Sequence, residues 1–369
     1  MICVFDIETI PDFHLLRRTF GYEGSPLEIA QIAFRAQYEK NGSEFLPLCF
    51  HRVISISSVI CDEFGRFVKV GHFGTSFLDE LTLRVQDTQA QREKYTESAQ
   101  FTQDNAPKNE DIDFLEEAFL DTLEKTLLSE FWQYINKHNP KLVSFNGRNF
   151  DIPTLLLRAM RYDISALAYY EQDNPAHNKS KWENYRQRYS EQFHTDLFES
   201  LGHFGALRSL KLDYLCQMLD LVGKYDMSGE QVFEIYFKGD EVLKDKRDEQ
   251  NNMDSNAKSE SMSKTHKNAD FQADIESQQN LKSKRAVFQL AALMRINHYC
   301  HSDVLNTYWL YLKYELLKGN IAEADYYEAL AIFCEKIPQD KPYSAIFIAT
   351  LQRHITAYTK KQNPTYTQD

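Results

Sequence analysis

Apolar and polar positions alternate along this chain in two distinct rhythms. Met1 to Phe5 is wholly apolar and runs on into Asp6-Ile7-Glu8-Thr9, the pattern of a strand covered on both faces, as in a central parallel sheet. His51–Cys61 and Arg66–Phe73 are two further strand-like runs, and Asp62-Glu63-Phe64-Gly65 between them is a hairpin signal. From Phe114 to His138 the rhythm changes: Leu115, Phe119, Leu123, Leu127, Phe131 and Ile135 recur at helical spacing. Lys141–Phe145 predicts a short strand. Ile152–Met160 predicts a helix with Pro153 in its first turn, where proline is tolerated. His194–Phe198 reads as a last strand, and Ala286–Leu317 as the longest helix. Two more helices are predicted around Ala322–Cys334 and Ser344–Tyr358. Strands first, then strands alternating with helices, point to an α/β sheet with an antiparallel edge pair.

Two segments break the rhythm and read as insertions into one domain spanning 1–369. Gln86–Asp113 is polar and carries Pro107 among charged residues. Asp240–Arg285 has a single aromatic, Phe271, and cannot bury enough apolar surface to offset its ordering entropy. It is expected to be disordered or loosely helical, a solvated spacer.

Composition removes several classes. No run approaches the roughly 18 apolar residues of a membrane span. The first apolar run stops at Asp6 with no basic residue before it, unlike a signal peptide. Six cysteines are scattered without a CxxC pair, which argues against a disulfide framework or a thiolate zinc site and fits a reducing cytoplasm. The net charge of -12 disfavours a protein that coats nucleic acid non-specifically, because such affinity comes from neutralising phosphates. It leaves room for an enzyme that grips a few nucleotides through bound cations.

Three sets of residues carry candidate chemistry. Asp6 and Glu8 are two apart in a strand, so they project to one face near its carboxyl end, and two adjacent carboxylates repel unless a cation lies between them. Solvated acids at a strand end are the plainer alternative. Asn146-Gly147-Arg148-Asn149-Phe150-Asp151 forms a strand-to-helix corner that ends in an acid, and Asp151 is equally suited to capping the helix. Tyr299 and Asp303, four apart in the long helix, share a face with Ile296 and Thr307. An acid on an otherwise core-facing stripe needs a partner or a metal, with Arg295 the local candidate for an ion pair. Asp196 either adds a carboxylate to the site or ends a strand in a turn. Ser228 and Gln231 fit a capping box, and Gly223-Lys224 lacks the glycine pattern of a P-loop.

The order Asp6-Ile7-Glu8-Thr9, then Asn146-Gly147 with Phe150-Asp151, then Tyr299-Cys300-His301-Ser302-Asp303-Val304-Leu305-Asn306-Thr307, resembles the DEDD 3'-5' exonuclease superfamily. Within it, the chain is most similar to predicted bacterial exonucleases related to the proofreading exonuclease of family B DNA polymerases. The resemblance covers the chain to about Leu317. It implies an α/β fold of the RNase H-like (DnaQ-like) type, a mixed five-stranded sheet flanked by helices. It also implies that Asp6, Glu8 and Asp303 bind one divalent ion, Mg2+ or Mn2+. Asp6 would bridge to a second ion with help from Asp151, the two about 3.5–4 Å apart across the scissile phosphate. Tyr299 would orient the attacking water, and Thr9, Asn146 and Phe150 would hold the terminal nucleotide. Phe150 is as well suited to being plain core.

The implied activity is hydrolysis of a nucleic-acid 3' end, single-stranded DNA foremost, releasing nucleoside 5'-monophosphates, with any DNA repair or replication partner acting in trans. An RNA-trimming enzyme of the same superfamily and a catalytically silent 3'-end binding module are the alternatives. One branch of the superfamily uses a Tyr four residues before the last Asp and another a His five before it. This sequence has both, Tyr299 and His298. On a regular helix Tyr299 projects within about 40° of Asp303, whereas His298 points about 140° away, which favours the Tyr.

Overall fold

The computed structural model describes residues 1–97, 113–207, 209–237 and 267–362. Five strands form its sheet: β1 (Ile2–Pro11), β2 (His51–Cys61), β3 (Phe67–His72), β4 (Lys141–Ser144) and β5 (His194–Asp196), in the order β3-β2-β1-β4-β5. The first three strands pair antiparallel, whereas β1–β4 and β4–β5 are parallel. Between β1 and β2 lie helices α1 (Phe13–Phe20) and α2 (Pro26–Asn41), and between β3 and β4 lie α3 (Thr75–Glu97) and α4 (Glu117–His138). Helices α5 (Asp151–Arg161) and α6 (Leu167–Tyr170) precede β5. After it come α7 (Leu197–Leu201), α8 (Leu212–Met218), α9 (232–237), α10 (Lys267–Leu317), α11 (Glu323–Lys336) and α12 (Ser344–Gln362). This is the mixed, helix-flanked five-stranded sheet expected of an RNase H-like fold.

The sheet is covered on both faces, and β1 shows why its sequence is so apolar. Cys3, Phe5 and Ile7 pack into one core with Leu123, Phe131 and Ile135 of α4. Ile2 and Val4 point the other way, into a second core with Val304 and Trp309 of α10 and Phe333 of α11. Asp6 and Glu8 continue that even-numbered row, so the strand delivers two carboxylates onto the α10 face just where its apolar residues stop.

Three expectations need adjustment. The long helix begins at Lys267 rather than Ala286, so the second polar segment is helical over residues 267–285; no Gly or Pro interrupts it, and each residue added to an existing helix gains a backbone hydrogen bond. Its preceding part lies outside the described residues. The first polar segment continues α3 over 86–97, and 98–112 likewise lie outside. The last strand stops at Asp196 rather than Phe198, because the Asp196 carboxylate accepts the Phe198 amide (3.1 Å) and starts α7.

Beneath the sheet on the α4–α5 side lies a buried ionic cluster. Asp12, Arg52, Glu124 and Arg158 are all at most 3% exposed. Arg158 bridges Asp12 (Nη1–Oδ2 3.0 Å) and Glu124 (Nε–Oε1 2.7 Å), and Glu124 also accepts the Val53 amide (2.8 Å). The cluster ties α4 and α5 to β2 and to the start of α1, where Asp12 is the N-cap.

Candidate active site

The local structure of β1 changes at the acidic pair. Opposite Asp6 and Glu8 stand Ser57 and Ser55, but Thr9 pairs with Val53, so Ile54 is an extra residue in β2 and the ladder bulges between Glu8 and Thr9. Bulges re-aim side chains and are frequent beside active sites. The parallel ladder to β4 ends early, at Val4–Val143. Past that point the Ile7 amide donates instead to Asp151 Oδ1 at 3.2 Å. Asp151 is the first residue of α5, yet no side-chain cap bond forms at that helix end. Its carboxylate is turned to β1, beside Asp6, so the capping alternative does not hold. Arg295 is likewise no partner for Asp303, because it pairs with Asp226 (Nη2–Oδ1 2.9 Å).

Asp6, Glu8, Asp151 and Asp303 therefore come together from β1, α5 and α10. Burial, then the charges of Asp151, Glu8 and Asp303, push the Asp6 carboxyl well above the usual carboxylate range. Glu8 is raised by burial, then by Asp303 and Asp151. Asp151 is pushed up to about 7 by burial, then by Asp196; Asp303 reaches about 7 through burial. The Tyr299 phenol is raised by burial and by the Asp303 charge, and it hydrogen-bonds to Asp303. Among the described residues no Lys or Arg forms an ion pair with any of the four carboxylates, although the Lys224 charge favours the ionised form of Asp303. Mutual repulsion among four carboxylates, two buried and two half-buried, fits a divalent cation. The ligand atoms of Asp6, Glu8 and Cys300 lie within 4.8 Å of one another.

The turn after β4 is built to hold Asp151. Asn146 takes a left-handed conformation (φ 70°), and Gly147 leaves no space for a side chain, since a Cβ there would lie 2.4 Å from Ser144 Oγ. Asp196 grips the turn from β5: its two oxygens accept the Asn146 and Arg148 amides, each at 2.8 Å. Asp196 is thus a clamp on the turn. The Arg148 guanidinium is spent on the carbonyls of Tyr185, Gln187 and His194 (2.9–3.1 Å). Phe150 is half-buried, edge-on to His51 and Phe45 at 5.2 and 5.6 Å between ring centroids. Thr9 Oγ1 lies 3.0 Å from His51 Nδ1, and His51 Nε2 lies 3.1 Å from the Leu46 carbonyl. A carbonyl only accepts, so Nε2 carries the proton and Thr9 donates to Nδ1.

Several neighbours of the acids are invisible in the local sequence pattern. The Cys300 thiol donates to the Asp6 carbonyl (3.5 Å), with the buried Ser57 hydroxyl beside it. Asn297 accepts from Ser55 (2.6 Å) and fastens α10 to β2 beneath Glu8. Asn306, one turn beyond Asp303, clamps Gly223 at both its amide (3.1 Å) and its carbonyl (2.7 Å), which brings Lys224 to the site's edge. Ser228 and Gln231 make the local capping contact (3.0 Å). His298 faces elsewhere, its ring packed on His301 and Tyr343 at 6.1 and 6.2 Å.

The family model described as "Predicted 3'-5' exonuclease related to the exonuclease domain of PolB" matches residues 107–247 and 282–358. These segments contain Asp151, Tyr299 and Asp303 and run on through α11 into α12, beyond the point near Leu317 where the motif resemblance ends. Asp6 and Glu8 lie outside the matched residues, on the strand next to β4. No curated protein matches the chain.

Proposed function

We propose, from the premise that the chain belongs to this family of predicted 3'-5' exonucleases, that it trims single-stranded DNA from the 3' end and releases nucleoside 5'-monophosphates. The observation that carries this reading is the meeting of Asp6, Glu8, Asp151 and Asp303, Glu8 and Asp151 buried and Asp6 and Asp303 half-buried, all raised in pKa, with no ion-pairing cation among the described residues. Asp6, Glu8 and Asp303 would hold one divalent ion, and Asp6 with Asp151 a second, Mg2+ or Mn2+. Bound there, such ions neutralise the scissile phosphate and lower the pKa of water. Tyr299 holds its hydroxyl against Asp303, where it orients the attacking water. Asn146 and Phe150 border the place of the terminal nucleotide. Thr9 has its hydroxyl proton committed to His51, so its oxygen is left as an acceptor for a sugar hydroxyl.

Mononucleotide release from matched DNA and RNA oligomers, followed while Mg2+ or Mn2+ is titrated into metal-free protein, tests this. Release from DNA in preference to RNA supports it. Preference for RNA moves the substrate to RNA 3' ends, and no release with either metal overturns the reading.

Tyr299→Phe is expected to retain metal binding and lose roughly 10²–10⁴-fold in turnover, the scale of a positioned acid–base group. His298→Ala is expected to cost far less, since its ring packs away from the carboxylates. Turnover of both variants across pH is the check; a crippled His298→Ala beside a near-normal Tyr299→Phe would reverse the two roles.

A further inference from the structure

The segment between α6 and β5 combines exposed aromatic rings with neighbouring cations. It exposes large aromatic rings, Trp182 at 71% and Tyr189 at 75%, next to Tyr170 at the end of α6 at 54%. Its middle stretch, Lys179 to Tyr189, carries four Lys or Arg and one Glu, although Glu171, Asp173 and Glu191 on either side balance the segment as a whole. Two of those cations serve the structure, Lys179 on Glu171 (3.0 Å) and Arg188 on Glu199 (2.7 Å). The other two stand by the exposed rings, Lys181 5.2 Å from the centroid of Trp182 and Arg186 5.4 Å from that of Tyr170.

The segment is anchored to the fold at several points. Tyr185 is fully buried and its hydroxyl donates to the Pro140 carbonyl (2.6 Å). Lys179 Nζ donates to the Ala168 carbonyl (2.7 Å), and Asn184 to the Ser180 carbonyl (2.9 Å). The Tyr185 and Gln187 carbonyls are held at 3.1 Å by Arg148, three residues before Asp151. The rings are therefore presented on a fixed support, one arginine side chain away from the turn that carries a catalytic carboxylate. Fixed, exposed aromatic faces interleaved with cations suit a single nucleic-acid strand, whose bases stack without regard to sequence while its phosphates meet the charges. A polyanion is also the partner that a basic patch on an acidic protein selects.

We propose that this segment docks the single strand upstream of the 3' end, with bases stacked on Trp182 and Tyr189 and phosphates met by Lys181 and Arg186. The proposal rests on the exonuclease reading for its polarity only. Trp132 and Trp309 are fully buried, so Trp182 is the one exposed tryptophan of the three in the sequence and reports directly on the surface.

The test is titration of oligothymidylates from two to twelve nucleotides into the full chain in EDTA, followed by tryptophan fluorescence, with parallel turnover assays in Mg2+ or Mn2+. Quenching that requires the longer oligomers and disappears in Trp182→Phe is expected. The advantage in kcat/KM of a twelve-mer over a dinucleotide is expected to fall about tenfold in Trp182→Ala, the scale of one base–aromatic stack, and to be largely kept in Trp182→Phe. Mononucleotide release without quenching, and with the length advantage intact in Trp182→Ala, overturns the docking surface and leaves the exonuclease. Length-dependent quenching without release under either metal supports the surface and overturns the exonuclease.

Discussion

Asp6→Ala is expected to reduce Mg2+- or Mn2+-dependent mononucleotide release by about 10³-fold or more, and to raise the melting temperature of the protein in EDTA. Both effects have one cause. Asp6 stands among Glu8, Asp151 and Asp303, and each of these charges opposes its ionisation. On the proposed reading the charge is needed when metal is bound; without metal it is a repulsion that folding has to overcome. The linkage has a definite sign. Asp151 and Asp303 have folded pKa values of about 7, against about 3.9 in an unfolded chain. The folded protein then binds more protons, so the site's contribution to stability falls as pH rises from about 4 through about 7. His72 acts oppositely: burial lowers it from 6.5 to about 4, so its contribution is lost as pH falls through that window. Asp6→Ala shares His72 with the wild type, and the difference between their melting curves from pH 5 to 8 isolates the carboxylates. The stabilisation by Asp6→Ala is expected to grow towards pH 8 and to vanish or reverse in Mg2+. A variant with wild-type turnover would remove Asp6 from the chemistry.

Arg158→Met is expected to cost about 3–5 kcal/mol of folding stability, the scale for removing one partner of a buried ion pair. Arg158 holds Asp12 and Glu124 together, both fully buried, and its loss takes from Glu124 its guanidinium partner and leaves it the Val53 amide and the Tyr162 hydroxyl. The loss should be partly recovered by adding Glu124→Gln, which removes the stranded charge and keeps an oxygen for the Val53 amide. Urea unfolding of the single and double variants measures this; a double variant no more stable than Arg158→Met would mean that the charge is not the cause. Arg158 shares α5 with Asp151, so metal affinity is expected to weaken in the single variant as well.

How much of this was legible in the chain depends on the range of the interaction. The alternation in β1 fixes which way Asp6 and Glu8 point, and helical spacing puts Tyr299 on the face of Asp303; both are local geometry. The ionic cluster joins Asp12, Arg52, Glu124 and Arg158 across more than a hundred residues, and no spacing rule connects them. Asp196 is similar: its role depends on amides of a turn 48 and 50 residues away. Cys300 reads as an ordinary buried cysteine until α10 is laid against Asp6. Helix α2 does announce itself, since Ser25, Pro26 and Glu28 spell a capping box that the structure forms, but it lacks the apolar stripe that carries α4. Asp151 shows the opposite case, where a good local signal, an acid at a helix start, is overruled by a tertiary partner, the Ile7 amide.

The carboxylates at positions 6, 8, 151 and 303 meet only when α10 lies against β1 and β2, where Cys300 reaches the Asp6 carbonyl and Asn297 reaches Ser55. A chain emerging from the ribosome folds from its N-terminus as it lengthens. It can pair β1 with β2, and later with β4, long before residue 303 has been made. All five strands of the sheet thus precede the last of the four carboxylates along the chain. On the proposed reading, Asp303 is the last of the four carboxylates to join along the chain, so nuclease activity would wait on the docking of α10 against the sheet.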